Sequence, residues 1–348
     1  MFKKYTIALD CMGGDNAPRS VLEGAQIIAK TNPNVHFLLF GNAKKINPFL
    51  SKLHQLNSVH TLIHTEEFIS AEEKPSVALR KGTNSSMRLA IDAVKDGKAD
   101  VAISAGNTGA LMTIAKIVLR PLPSIDRPAI VTSIPNQKKT GTVLLDMGAN
   151  VECPSDVLYQ FAIMGHAFAR VVLKVEKPSI GILNVGSEDL KGSDAVKNAA
   201  QLLKESKVKD CFYGYVEGDD IIKGTVNVVV TDGFSGNITL KAIEGTAKLI
   251  VSIVKEGFNN SLLGKIGYLF ARSPIRNAIK NIDPRLHNGA MLIGLNGVVV
   301  KSHGSTDGLG FSNAIKVAIS LVENRINERI TEELKVSSDD TQAAFNDS

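Results

Sequence analysis

The sequence predicts an α/β fold, a three-layer α/β/α sandwich built on a mainly parallel sheet. Three observations carry this expectation: apolar runs of strand length recur along the chain, they alternate with stretches whose apolar residues fall every three to four positions, and glycine-rich polar turns follow the strand-like runs. Strands apolar on both faces need cover on both faces, which helical crossovers supply in parallel sheets. A chain of 348 residues, 44% of them hydrophobic, suffices for one such core. The expected layout is a single domain over 1–336, an inserted helical hairpin at about 257–284, and a disordered polar tail, "SSDDTQAAFNDS", over 337–348.

Taken in order, Thr6 to Leu9 read as a buried strand that stops at Gly13 and Gly14, a turn fenced by Asp10 and Asp15. The run Asp15-Asn16-Ala17-Pro18 reads as a helix start, a capping side chain followed by proline, and Val21, Leu22, Ala25, Ile28 and Ala29 supply the apolar stripe. Further strands are expected at "VHFLLF" (35), "ADVAIS" (99), "AIVTSI" (129), "TVLLD" (142), "SIGILN" (179), "NVVVTD" (227) and "GVVVKS" (297). Helical spacing marks Ser85 to Val94, Thr108 to Leu119, Ser155 to Val172 and Gly236 to Val254.

Composition excludes several classes. Cys11, Cys153 and Cys211 are far apart and odd in number, which argues against a disulfide framework or a paired-cysteine zinc site and for a reducing, cytoplasmic setting. No run reaches the length of a spanning helix, and no signal-peptide pattern precedes the first aspartate. With no tryptophan and a net charge of only +5, nucleic acid is not an expected partner. His60 and His64 lack the glutamate of a zinc-protease motif, and no metal is expected. Gly181 and Gly186 have P-loop spacing but Ser187 follows, and no dinucleotide fingerprint stands after a strand, so no nucleotide cofactor is expected.

Five strand-end loops are alike in kind: "SAGNTGALM", "DMGANVEC", "LNVGSEDLKGSD", "TDGFSGNITLK" and "KSHGSTDG". Glycine amides and helix N-termini hold anions, so the five loops gathered at one sheet edge would make a phosphate-sized polar pocket. Each loop taken alone is better explained as turn and cap chemistry. Cys11 in such a loop is either a nucleophile or a buried packing residue, and His303 is the best placed histidine for acid-base work.

One segment departs from the pattern. Gly257 to Ile282 carries Lys265, Arg272, Arg276 and Lys280 with no acidic residue. Leu262, Leu263, Ile266, Leu269 and Phe270 can share one helical face, and Ile275, Ala278, Ile279 and Ile282 another once Pro274 breaks the run. Such faces suit an anionic membrane surface or an acidic protein, or else a dimer interface.

Together, "ALDCMGGDNAP", "SAGNTGAL", "LLDMGANVEC", "LNVGSEDLKG", "VEGDDI", "VVVTDGFSGNITLK" and "NGVVVKSHGSTD" resemble, in order and over nearly the whole chain, the bacterial phosphate acyltransferases that act on acyl-[acyl-carrier-protein]. The resemblance implies a fold similar to isopropylmalate dehydrogenases and phosphotransacetylases, a homodimer, and transfer of a long acyl chain from the carrier-protein thioester to inorganic phosphate. It also implies that the acyl-phosphate passes to a glycerol-3-phosphate acyltransferase in phospholipid synthesis, and that the chain is a peripheral membrane protein held through the segment at 257–282. Where that family usually has alanine this chain has Cys11, which favours the packing reading.

Residue types suggest the roles. Attack of phosphate on a thioester needs a dianion held against the carbonyl, an oxyanion stabilised and a thiolate protonated. Amides near Gly13, Gly14, Gly106, Gly148 and Gly236, with Asn107, Asn150, Asn184 and Asn237, are the expected donors, while Lys191, Lys301 and His303 would neutralise phosphate or protonate sulfur. Asp10, Asp15, Asp146 and Asp232 would orient those donors. The catalytic expectation falls on His303, Lys301, Asn237 and Asp232. Two alternatives remain at this level: a decarboxylating dehydrogenase of the isopropylmalate type, which would bind nicotinamide dinucleotide, and a membrane scaffold that binds acyl-carrier protein without turnover.

Overall fold

The computed structural model describes residues 5–280, 283 and 285–334, with only the backbone given for 262–264 and 275–280. Along the chain run β1 (Tyr5–Asp10), α1 (Arg19–Thr31), β2 (Val35–Gly41), α2 (Ala43–Leu50), α3 (His54–Asn57), β3 (His60–His64), α4 (Pro75–Lys81), α5 (Ser86–Lys95), β4 (Val101–Ser104), α6 (Thr108–Leu119), β5 (Ala129–Ile134), β6 (Thr142–Leu145) and α7 (Ser155–Val172). There follow β7 (Ile180–Leu183), α8 (Asp194–Glu205), β8 (Phe212–Val216), α9 (Gly218–Lys223), β9 (Val228–Val230), α10 (Gly233–Asn259), α11 (Leu262–Lys280), β10 (Ala290–Ile293), β11 (Val298–Lys301), α12 (Gly308–Glu323) and a last helix over 326–334.

The strands form one eleven-stranded sheet in the order β3-β2-β1-β4-β11-β10-β5-β6-β9-β7-β8. The strands from β3 to β11 are mutually parallel, as are those from β6 to β8. Between these groups β10 is antiparallel to β11 and to β5, and β5 is antiparallel to β6. Met291 pairs with Val131 across one of these junctions, and Val131 with Leu145 across the next. The second parallel group therefore runs opposite to the first.

Helices cover both faces. Phe37, Phe161, Phe168 and Phe311 are fully buried in the cluster that α1, α7 and α12 share with the sheet, and α5 and α6 cover a second cluster around Ala8, Ala102 and Val299. Cys11 is buried in the first cluster, its Sγ facing the Leu9 carbonyl at 3.6 Å, and burial pushes its thiol well above the usual range. A thiol held neutral in this way is a packing group.

Helices with a continuous apolar stripe stand where the spacing puts them: α6 and α7 match the expected bounds, and α5 lies within one residue. The start of α1 differs. The helix begins at Arg19 with Pro18 at the cap position and no side-chain cap. Asp15 is held instead by its amide, which donates to the Gly304 carbonyl, and Asn16 Nδ2 donates to the carbonyls of Ser305 and Thr306. These two residues fasten the first strand-end loop to the last one rather than opening a helix.

The basic segment forms a helical hairpin, but its turn lies at 260–261 and α11 runs through Pro274 without interruption. Proline removes one backbone donor and crowds one carbonyl, and this helix keeps its path at that position. From Lys241 onward every described side chain of the two helices is half-buried or exposed, so the hairpin stands away from the sheet. Leu269 and Phe270 are 70% and 83% exposed, and Leu249, Ile250, Ile253 and Ile266 are also exposed. Lys265 and Arg272 are exposed beside them. The side chains of Leu262, Arg276 and Lys280 lie outside the described residues, as do Ile282 and the tail over 337–348. No helix among the described residues is long and apolar enough to cross a membrane.

Candidate active site

At the carboxyl ends of β1, β4 and β11, which lie side by side, three loops pack onto one another. Asp10 ends β1 and Ser104 ends β4. The Ser104 hydroxyl donates to Asp10 Oδ2 at 2.7 Å, and the Ser86 hydroxyl, at the start of α5, donates to Oδ1 at 2.6 Å. The Met12 and Gly13 amides also donate to this carboxylate. Burial pushes the Asp10 carboxyl above the ordinary aspartate value, while the two hydroxyls and the amides pull it down. Gly13 has no room for a side chain, since a Cβ would lie 2.5 Å from Asp10 Oδ2 and 2.7 Å from the Gly106 nitrogen. Close approach of the first two loops is thus written into that glycine.

Lys301, at the end of β11, completes the cluster. Its Nζ donates to the Ala105 carbonyl at 3.3 Å and to the Ser302 carbonyl. Burial lowers its pKa from 10.5 to about 8, with Asp10 and Asp15 holding it up. An amine poised near neutral pH can carry a proton and give it up, as acid-base chemistry requires. His303 follows on the same loop, exposed, with Nδ1 accepting the Ser305 amide at 3.3 Å and lying 3.0 Å from the Ser305 hydroxyl. Asn288 secures that loop: it is buried, accepts the His303 amide at 2.9 Å, and donates to Ser302 Oγ and to the Gly310 carbonyl at 2.8 Å each.

A second polar cluster stands at the ends of β6 and β9. Because those strands run opposite to β1, β4 and β11, it occupies the other edge of the sheet. The expectation of five loops at one edge therefore fails, and the antiparallel pair β5 and β10 is the reason. Asp146 is fully buried and saturated here: Oδ1 accepts from the amides of Ile130, Gly148 and Ala149, and Oδ2 from the amide and Nδ2 of Asn150. Burial nonetheless pushes its carboxyl upward. Asn150 spends its remaining donor on the Pro128 carbonyl at 2.8 Å. Asp232 caps α10 through the Ser235 amide at 2.7 Å, and Asn237 lies against Gly148.

Several anticipated donors have other work. The Gly106 amide donates to Ser104 Oγ, the Gly148 amide to Asp146, and the Gly236 amide to the Asp232 carbonyl within the helix. Gly236 is required by space, since a Cβ there would run into the Asp146 carbonyl oxygen. Asn107 caps α6 through the Ala110 amide and donates to the carbonyls of Ala71 and Glu73, strapping that segment over the helix start. Asn184 donates to the Lys191 carbonyl, and Lys191 is an exposed cation paired with Glu188 at 2.8 Å. Of the anticipated set, the structure brings Asp10, Gly13, Gly14, Asp15, Gly106, Asn107, Lys301 and His303 to one edge; Asp146, Asn150, Asn184, Lys191, Asp232, Gly236 and Asn237 belong to the other half.

Comparison with known proteins decides the family. A family model described as "Fatty acid synthesis protein" matches residues 5–329. The phosphate acyltransferase of Paramagnetospirillum magneticum is 55% identical over 333 residues, covering 96% of this chain and 95% of that protein. The chain belongs to the phosphate acyltransferase family. The phosphate acyltransferase of Rhodospirillum centenum is 52% identical over 334 residues, 96% of this chain and 94% of its own. In fold, the chain is similar to a phosphotransacetylase from Streptococcus pyogenes (TM-score 0.60, 17% identity, 92% and 94% of the two chains) and to the EutD phosphotransacetylase from Staphylococcus aureus (TM-score 0.56, 18% identity, 92% and 94%). Within this family member, sequence reasoning passed over Ser86, Ser104 and Asn288. Serine and asparagine near strand ends are too common to stand out, and their importance lies in contacts between segments up to 94 residues apart.

Proposed function

We propose that the chain transfers a long acyl group from an acyl-carrier-protein thioester to inorganic phosphate, yielding an acyl-phosphate for phospholipid synthesis. The observation that carries this reading, given the family, is the half-buried Lys301 with a pKa of about 8 among the bare backbone of Gly13, Gly14, Gly106 and Gly304. In the proposed reaction a phosphate oxygen attacks the thioester carbonyl, the carbon–sulfur bond breaks, and the thiolate leaves. Lys301 in its ammonium form neutralises charge on phosphate and on the tetrahedral oxyanion, and its proton, or that of His303, goes to the departing sulfur. Asp10, its oxygens taken up by Ser86, Ser104 and the turn amides, sustains the positive charge on Lys301 rather than contacting phosphate. Asp232 and Asn237, at the opposite edge, enter the proposal only as members of a second polar surface.

The hairpin is proposed as the peripheral membrane contact. Exposed Ile266, Leu269 and Phe270 beside Lys265 and Arg272 fit an anionic interface, and the same cations suit an acidic carrier protein. A homodimer, and delivery of product to a glycerol-3-phosphate acyltransferase, complete the reading.

The test follows free thiol released from palmitoyl-acyl-carrier-protein with and without inorganic phosphate. Release only with phosphate, matched by an equal yield of hydroxylamine-sensitive acyl-phosphate, is the expected result. Phosphate-independent release would replace this reading by a hydrolase, and binding without release by a scaffold.

A further inference from the structure

Ser86 and Ser104 are buried, and neither was among the expected site residues, yet both hydroxyls end on the same carboxylate. We propose that they are positioning residues that keep Asp10 ionised and thereby hold the proton on Lys301. The proposal rests on the acyltransferase reading for its role in turnover, and on geometry alone for the clamp.

The hydrogen bonds suit hydroxyls that donate to a charged carboxylate. Ser104 Oγ accepts the Gly106 amide at 3.0 Å, so its own proton is free for Asp10 Oδ2 at 2.7 Å. Its backbone carbonyl takes the Ser302 amide at 2.9 Å, tying the same residue to the Lys301 loop. Ser86 is fixed by its own amide, which donates to the Glu67 carbonyl at 3.0 Å, and its hydroxyl reaches Asp10 Oδ1 at 2.6 Å. Lengths near 2.5–2.7 Å are those of a hydroxyl on a charged carboxylate. With the amides of Met12 and Gly13 also donating, the carboxylate meets four donors, whereas a neutral Asp10 keeps all of them only if one serine hydroxyl turns round to accept. The surroundings thus accommodate the charged form.

That charge matters because of what faces Lys301. Asp10 comes from β1, Asp15 from the loop after it, and the Ala105 and Ser302 carbonyls from the loops after β4 and β11. Burial opposes the ammonium, and Asp10 and Asp15 oppose burial. Deleting either hydroxyl removes a bond that favours the Asp10 anion, so its carboxyl titrates at higher pH, and wherever it is thereby protonated the Lys301 ammonium loses part of its support.

The measurement is the titration of Asp10 by carboxyl ¹³C NMR of aspartate-labelled full-length protein, the resonance assigned by its loss in Asp10→Asn, alongside the pH profile of phosphate-dependent thiol release. In Ser104→Ala and in Ser86→Ala the Asp10 titration moves up, the alkaline limb of kcat moves to lower pH, and kcat at pH 7.5 falls about tenfold, as for a lost hydrogen bond to a charged group. Ser104→Thr keeps the hydroxyl and restores the wild-type profile. An Asp10 titration and an alkaline limb unchanged in both alanine variants would overturn the proposal, as would failure of the threonine rescue. Should Ser104→Ala not fold, Ser86→Ala alone decides, because its hydroxyl is independent of the Gly106 turn. Wild-type protein that releases no thiol with phosphate would sink the acyltransferase reading, while the Asp10 titration would still judge the clamp.

Discussion

Replacing Lys301 by methionine should abolish turnover and yet make the protein more stable at neutral pH. Displacement of the Lys301 pKa from 10.5 to about 8 means that holding this ammonium in the fold costs about 3.4 kcal/mol. Methionine removes that cost but also removes the bonds to the Ala105 and Ser302 carbonyls, worth about 1 kcal/mol each. Lys301→Met is therefore more stable than wild type by about 1–2 kcal/mol at pH 7. Below about pH 8 the folded and unfolded chains both hold the proton; between about 8 and 10.5 only the unfolded chain does, so wild-type stability rises with pH there. Above 10.5 lysine is neutral in both states, only the lost carbonyl bonds remain, and the variant becomes the less stable of the two. Urea unfolding of both proteins at several values between pH 7 and 10.5 gives the difference directly, with the titrating groups remote from Lys301 cancelling. A stability difference that stays constant across that range would refute the reasoning.

Other predictions concern packing and surface. Gly236→Ala drives a methyl into the Asp146 carbonyl oxygen and should lower stability by about 3 kcal/mol, read as a fall in Tm; an unchanged Tm would mean that this turn is looser than the contact implies. Asn107→Ala removes the α6 cap and the tie to Ala71 and Glu73, so amide exchange at 70–74 should speed up while stability drops by about 1 kcal/mol. Leu269→Glu with Phe270→Glu should release the protein from anionic liposomes in flotation while the circular dichroism is kept, and flotation at wild-type level would remove the membrane role of the hairpin. Lys191→Ala should leave thiol release within about twofold, because its exposed pairing with Glu188 contributes little; a large loss would bring the second edge back into the chemistry.

What the sequence made legible follows from how local each signal is. The helices α6 and α7 carry continuous apolar stripes, so their bounds could be read directly. The strand β3, His60–His64, is an edge strand without a fully buried residue, and β10 is four residues long after a charged turn, so neither rose above its surroundings. Strand direction is not local at all. The apolar run at 129 looks like the others, and only its pairing with β10 and β6 shows that the sheet reverses there and divides the glycine loops between two edges. Residue type similarly located Asp10 and Lys301 but could not say which amides were already engaged. Gly236 and Asn107 look like anion donors in one dimension, and both are occupied within the fold.

The length of α10 has a mechanical side. Twenty-seven residues of helix extend about 40 Å, and this one begins at its Asp232 cap, beside the loop that encloses Asp146, and ends at the tip where α11 turns back. It is a ruler: whatever the tip rests on is kept at a set standoff from the strand-end loops. Removing or adding one turn would change that height by about 5 Å and swing the tip's apolar residues only slightly about the axis. Height can thus be varied without altering a single residue of either polar edge, which separates where the protein works from what it does there.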